Sequence, residues 1–417
     1  MCSSDLGDNY YPIDAIPGAS YRLDSSLQAI DINVPFGDGS GTYVDALGNV
    51  RTAAMRPEPG VFLNHDFQFL HGYGQRSLSG LVEGGVFSRY GVFTSQFAGA
   101  DLVNHIRPIR LNSQFTRDFP EQMTTLTIGD SVSAVSPWAR ITYYAGVRYA
   151  SKFSTQPGFI PIVLPGLAGQ ASQPSTVDIY VDNVKRLSKP IDAGPFSINN
   201  IPTLSDQGQI RMVVTDILGR QQVITEYYIR SIQLLNPGVS EFSYEARSPR
   251  INYGISSFDY QSFFAAGTYR RGFARGLTME GRLEATPRSE TGGLGVVYAV
   301  PHVAIIDAGA AGSVAGGYSG GLLYYAQISR QQRGFGFAAQ MQKANRDFRQ
   351  VGLQDWQLAT RMLLQAQVSR SIGHHGTIAA GYLKRDGRTE LSSQAVTASA
   401  GFRIGRTYLS LDATYSL

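Results

Sequence analysis

Apolar and polar residues alternate with period two along most of this chain. Leu63, His65, Phe67 and Phe69 face one way and Asn64, Asp66 and Gln68 the other. The same rhythm returns as Ile109, Leu111 and Phe115 against Arg110, Asn112 and Gln114, and as Leu277, Met279, Gly281, Leu283 and Ala285 against Thr278, Glu280, Arg282 and Glu284. It continues in Met362, Leu364, Ala366 and Val368 against Leu363, Gln365, Gln367 and Ser369, and closes with Leu409, Leu411, Ala413 and Tyr415. Period two means β-strands with two unlike faces. About six such strands are expected over residues 60–153 and about eleven over 232–417, each near the roughly 9 to 11 residues that cross an outer membrane at a tilt.

A tract of different texture separates the two series. Between 174 and 231, Val177, Ile179 and Val181 alternate with Asp178, Tyr180 and Asp182, and turn residues recur at Asp182-Asn183, Ala193-Gly194-Pro195 and Leu218-Gly219. That spacing predicts a compact β-sandwich module, small for an independent domain. Residues 37–59, rich in Gly, Asp and Pro with little periodicity, and 154–173, with Pro157-Gly158, Pro161 and Pro165-Gly166, read as linkers. Residues 7–36 read as the last hairpin of a preceding domain, with Ile30, Ile32 and Val34 alternating.

Composition turns this pattern toward a membrane. Hydrophobic content is 43%, and charged residues make up only 16%, against about 25% in soluble chains. Gly, Tyr, Phe, Gln and Ser fill the difference, a mixture suited to strands with lipid on one side and a polar lumen on the other. No run of about 18 apolar residues supplies a transmembrane helix or a signal-peptide core. A membrane form must then be a closed β-barrel. A face carrying Glu, Arg and Gln in successive strands is expected to line a wet lumen, because a buried unpaired charge costs several kcal/mol. Arg110, Gln114, Glu280, Arg282, Glu284, Gln365 and Gln367 are the candidate lumen residues. About seventeen strands enclose more space than side chains fill, so the module at 174–231 is the expected plug. A large soluble β-sandwich or β-solenoid is the competing architecture, and it leaves the repeated charged face unexplained.

The net charge of +4 is spread singly along the chain, with no basic run to bind nucleic acid. Cys2 is the lone cysteine, so no disulfide forms within the chain. Met1 to Leu6 reads as the translation of a sequencing adapter, an assembly artefact. Gly317-Tyr-Ser-Gly-Gly321 fits the nucleophile-elbow spacing, but that motif needs a helix after the turn and here another strand follows. Gly129-Asp-Ser131 is similar to a lipase block and falls at a strand end. An esterase using Ser131 or Ser319 is therefore the weakest reading. His374-His375 lacks a third ligand at metal spacing. No catalytic residue, cofactor or metal is expected.

Leu126-Thr-Ile-Gly-Asp130, Gly194-Pro-Phe-Ser-Ile198 within the module, and Leu234-Leu235 followed by Pro237-Gly238 and Tyr244 resemble the outer-membrane usher of chaperone-usher pili. The strands look closer to its archaic, spore-coat-protein-U-like branch. The resemblance covers about residues 10–417 and implies an outer-membrane barrel of about two dozen strands. Through it would pass folded pilin subunits delivered by a periplasmic chaperone, with the module as a movable plug marked by Gly194, Pro195, Phe196 and Ile198. It also implies a fragment, whose last strand would offer lipid an unpaired edge. A passive or substrate-specific porin is the alternative on the same barrel.

Overall fold

The computed structural model describes residues 20–24, 29–33 and 42–46, and then the chain from 57 to 416 apart from scattered loop positions. The strands are β1 (Ser20–Asp24), β2 (Ala29–Asn33), β3 (Thr42–Asp45), β4 (Gly60–Gly72), β5 (Gln75–Ser88), β6 (Gly91–Gly99), β7 (Ile109–Phe119), β8 (Thr124–Val132) and β9 (Tyr143–Ser151). Next come β10 (Leu167–Ala171), β11 (Ser175–Val181), β12 (Val184–Ile191), β13 (Gly194–Asn199), β14 (Gln207–Asp216) and β15 (Gln221–Ile229). The third series is β16 (Ser240–Pro249), β17 (Phe264–Ala274), β18 (Leu277–Ala285), β19 (Ser289–Val300), β20 (Ala304–Ala315), β21 (Gly321–Gln332), β22 (Phe335–Ala344), β23 (Met362–Ile372), β24 (Gly376–Asp386), β25 (Ser393–Ile404) and β26 (Thr407–Ser416). They form two compact units, one of residues 1–48 with 164–228 and one of 49–163 with 229–417.

The larger unit is a closed barrel. β4 to β9 and β16 to β26 follow one another in chain order, and β9 pairs antiparallel with β16 from Tyr144–Pro249 to Ala150–Ser243, so the ladder passes over the inserted module without a break. Seventeen strands appear among the described residues. The end of the chain does not leave the unpaired edge that the sequence suggests: β26 lies beside β4 and closes the sheet. Backbone groups without partners are costly, and the nearest free edge supplies partners. One end of the barrel carries short turns such as Arg89-Tyr90 and Arg275-Gly276, while the other carries the long loops 133–142, 250–263 and 345–361.

The two faces of the sheet differ as the alternation demands. Along β18, Met279 and Leu283 are exposed and Thr278, Arg282 and Glu284 are buried. On β19 and β20 the exposed partners are Leu294, Val296, Tyr298, Ile306 and Val314. These apolar side chains form the outer surface, at the place where a membrane barrel meets lipid.

The smaller unit is a two-sheet sandwich, as the sequence suggests for the module. Its sheets run β12-β11-β14-β15 and β10-β13-β3. Val177, Ile179 and Val181 of β11 and Ile210, Met212 and Val214 of β14 meet Leu167, Ala171, Phe196 and Ile198 in one core. Phe196 lies opposite Gly169, where an added Cβ would come within 2.6 Å of the ring. Two linker expectations are corrected here. Leu167–Ala171 is a strand of this sandwich, and Thr42–Asp45 pairs in parallel with β13. Both strands are only four or five residues long, so neither carries enough alternation to stand out from loop sequence. β1 and β2 form an antiparallel hairpin.

Two outcomes follow from the packing. Replacing Gly169 with valine forces Phe196 from its seat and should destabilise the module by about 1 to 3 kcal/mol, read as an earlier thermal transition of the full chain, with Val223→Thr on exposed β15 as a near-silent control. Replacing Leu294 with arginine should cost roughly 2 to 4 kcal/mol at the outer face and reduce the heat-modifiable folded band on a cold gel. Gln365→Arg, on the other face, should leave that band intact.

Candidate functional site

The inward rows of β16 to β18 hold a cluster of paired charges. Arg282 Nη2 meets Glu284 Oε1 at 2.8 Å, and its Nη1 donates to Thr268 Oγ1 at 2.7 Å. Arg270 reaches Glu241 Oε2 at 2.7 Å and Glu280 Oε2 at 3.3 Å. Glu245 is ion-paired with Arg247 and lies 3.6 Å from Arg148. The Arg247 guanidinium is clamped between the rings of Tyr144, at 4.1 Å, and Phe264, at 4.3 Å.

This is not the wet wall expected from the sequence. Side chains of Arg282 and Glu284 are only 1% and 3% exposed. Period-two spacing sets each arginine beside a carboxylate on the same face, so the charges are paired, and paired charges can be buried where lone ones cannot. Loops supply the cover. The Ala134 N–H donates to Glu245 Oε1 at 2.9 Å, and the Ser136 hydroxyl bonds Glu280. From the loop between β22 and β23, the Val351 N–H donates to Glu284 Oε2 at 3.0 Å, Arg349 O accepts from Thr291 Oγ1 at 2.8 Å, and the Arg349 N–H donates to Ser313 Oγ at 2.9 Å. Trp138 is buried among Ala311, Leu323, Tyr325 and Phe348, over Gly293, where a Cβ would sit 2.6 Å from the indole. Two loops from one end of the barrel thus fold onto the inner face of β18 to β21.

The rest of the inner wall differs. Gln365 and Gln367 are exposed, and Gln340 Nε2 donates to Gln365 Oε1 at 3.0 Å. Asn64 and Asp66 of β4 are exposed as well. Gln114 is half-buried opposite Gly129. Arg110 does not share its row. A register shift between Gln96 and Phe97 pairs Asn112 with Gln96 but Arg110 with Phe97, which breaks the alternation. Arg110 instead joins a cluster at the rim: it bonds Asp130 and Tyr260, its Nη2 donates to Ser257 O at 3.0 Å, and Phe258 lies over it at 4.6 Å. Burial and then the Asp130 carboxylate hold the Tyr260 phenol above its ordinary range. Asp130 also accepts from the Ser113 N–H at 2.7 Å, tying β7 to β8.

Gly194, Pro195, Phe196 and Ile198 make up the start of β13, and Phe196 and Ile198 are buried in the module's core. Their position is that of packing residues. Trp138, Glu245, Arg247, Thr291 and Ser313 are absent from the sequence-based candidates. Only Trp138, isolated in a polar loop next to a proline, carries a signal that could have marked it. Ser131 is a β8 residue paired with Tyr144, and the turn 316–320 joins β20 to β21, strand to strand. Ser319, His374 and His375 lie outside the described residues. Among the described residues, no three His, Cys, Asp or Glu side chains gather as metal ligands.

Residues 109–302 match the family described as Outer membrane usher protein. The outer membrane usher protein FimC of Bordetella pertussis is 27% identical over 184 residues, 44% of this chain and 21% of that protein. YraJ, an outer membrane usher protein of Escherichia coli K12, is 23% identical over 289 residues, 67% of this chain and 34% of that one. The chain therefore spans between a fifth and about a third of the length of these relatives. Among solved structures, a P pilus tip assembly intermediate of E. coli, PapC-PapD-PapK-PapG, superposes with a TM-score of 0.61 at 14% identity, over 96% of this chain and 53% of the other. The matched stretch runs from β7 through the inserted module to the turn after β19, and over that stretch the chain is similar to the outer membrane usher family.

Proposed function

We propose that this chain is the pore-forming part of an usher that secretes and assembles folded pilin subunits delivered by a periplasmic chaperone, with the module of residues 174–231 as its plug. The observation that carries this reading is the span of the family match, which includes barrel strands and module as one stretch. The solved assembly intermediate, whose name joins PapC to PapD, PapK and PapG, supports it as a likeness of fold.

The chemistry of the inner wall suits such a pore. A folded subunit passing through touches many side chains briefly, so the wall should hold it weakly and everywhere. Exposed amides such as Gln365 and Gln367 make hydrogen bonds worth roughly 0.5 to 1.5 kcal/mol net and carry no charge to trap cargo. The charged rows of β16 to β18 have another role: paired and covered, they fix the loops that narrow one side. No nucleotide-binding motif is present in the sequence, so displacement of the plug must be driven by the difference in affinity that an arriving subunit brings.

Removing residues 172–231 from the full-length protein should raise single-channel conductance several-fold in planar bilayers. An unchanged conductance would sink the plug reading and favour a passive or substrate-specific porin. Trp138→Ala, which frees the 133–142 loop from its seat, should raise the frequency of openings without reaching the conductance of the deletion.

A further inference from the structure

The segment that precedes the barrel contributes an edge strand to the inserted module. β3 pairs in parallel with β13, from Thr42 opposite Phe196 to Asp45 opposite Asn199. Val44 and Ala46 pack against the module's core. Pairing starts one residue after Pro195, which has no N–H to offer.

This attachment is slight beside its neighbour. It is four residues long, it lies at the edge of the sheet, and Thr42, Val44 and Ala46 are each only half-buried. On the other side of β13, β10 pairs over five residues and buries Leu167 and Ala171 completely enough to belong to the core. Parallel pairing is also the weaker kind per residue, and here it closes a loop of well over a hundred residues.

The module's other two connections are built differently. Within the barrel unit they run side by side as a stem. Ile162 bridges Leu235, the Val163 N–H donates to Leu234 O at 3.2 Å, and the Asn236 N–H donates to Pro161 O at 2.8 Å. The Leu235 N–H is in turn fixed to Thr278 Oγ1 of β18 at 2.8 Å. A domain on a two-stranded stem can turn about it. β3, however, continues through residues 47–59 into β4, which lies five strands round the barrel from β9. Attachments at two separated points of the wall oppose such a turn.

We propose that β3 is a detachable clasp: docked on β13, it ties the module to the segment before the barrel, and it must leave β13 before the module can turn on its stem. Detachment is a property of β3 itself; its consequence for opening rests on the plug reading above. The apolar side chains it brings are few enough for release, and the vacated edge of β13 begins at Phe196, whose own side chain stays buried by β10 and β14.

The test uses the full-length protein with Cys2→Ser. Tyr43→Cys combined with Ser197→Cys places thiols at register partners, whose Cα separation should fall within the roughly 4.4 to 6.8 Å that a disulfide spans. Oxidation should lower the frequency of large spontaneous openings about ten-fold, and reduction should restore it; oxidised protein that opens as often as reduced protein overturns the clasp, and failure to cross-link overturns the docking. Hydrogen exchange reads detachment without reference to gating. The hydrogen-bonded amides of 42–45 should exchange at least ~10-fold faster than those joining β10 to β13, and equal protection overturns the proposal. Fast exchange at 42–45 together with unchanged conductance on deletion of 172–231 would refute the plug while leaving the clasp standing.

Discussion

Lipid offers no partners to a backbone N–H or C=O, and this one constraint organises the larger unit. Every strand must find two neighbours, so a sheet that crosses a membrane has to close. The pairing of β9 with β16 shows how strongly that demand acts. A module of some sixty residues is inserted between them, yet Val147 still meets Ala246 and Tyr149 still meets Tyr244, as in an uninterrupted hairpin. None of the module's described strands takes part in the ladder. A barrel can therefore carry such a module as cargo of its own fold, because the ladder's hydrogen bonds do not depend on it.

Closure creates an inside, and the inside sets the second problem. The inner face of β16 to β18 places Glu245, Arg247, Arg270, Glu280, Arg282 and Glu284 within a space that loops cover. Removing a charge from water costs several kcal/mol unless a partner and hydrogen bonds compensate. The loops do both: they exclude water, and their backbone N–H groups at Ala134 and Val351 occupy the carboxylate oxygens that the arginines leave free. Charged rows and infolded loops are mutually dependent. Without the loops the rows would be solvated and weakly paired; without the rows the loops would bury unpaired amides.

The period-two pattern made the strands, their two faces and the sandwich of the module legible from residues alone, because alternation is a local property. What escaped was everything that depends on contacts distant in sequence. Arg282 and Glu284 were assigned to the correct face, but whether that face is wet depends on loops 345–353 and 133–142, far along the chain. Arg110 left its expected row through a one-residue register shift, and the pattern Ile109, Leu111, Phe115 gives no sign of it. Thr42–Asp45 was unreadable as a strand because its partner lies in the module and its own sequence, Thr-Tyr-Val-Asp, is too short to alternate convincingly. Gly194-Pro-Phe-Ser-Ile198 was marked as a functional motif, and Phe196 and Ile198 prove to be core.

Glycine explains part of that last difference. A glycine-rich texture reads as flexible or as thin barrel wall, yet several glycines here are seats for aromatic rings. Gly293 lies under Trp138 and Gly169 under Phe196, each with a ring where a Cβ would have to go. Gly321 admits the backbone of Phe348 in the same way. In each case an aromatic residue from a loop or neighbouring strand is positioned by the absence of a side chain opposite it. The energy of such a seat comes from buried aromatic area, and its specificity comes from the notch. Loops fixed by notches can be rigid without long helices or disulfides, which suits a chain whose only cysteine is Cys2. Positions that tolerate least change should accordingly be glycines facing rings, more than the charges that first drew attention, since a charge pair can be re-formed by a neighbouring side chain and a filled notch cannot be emptied.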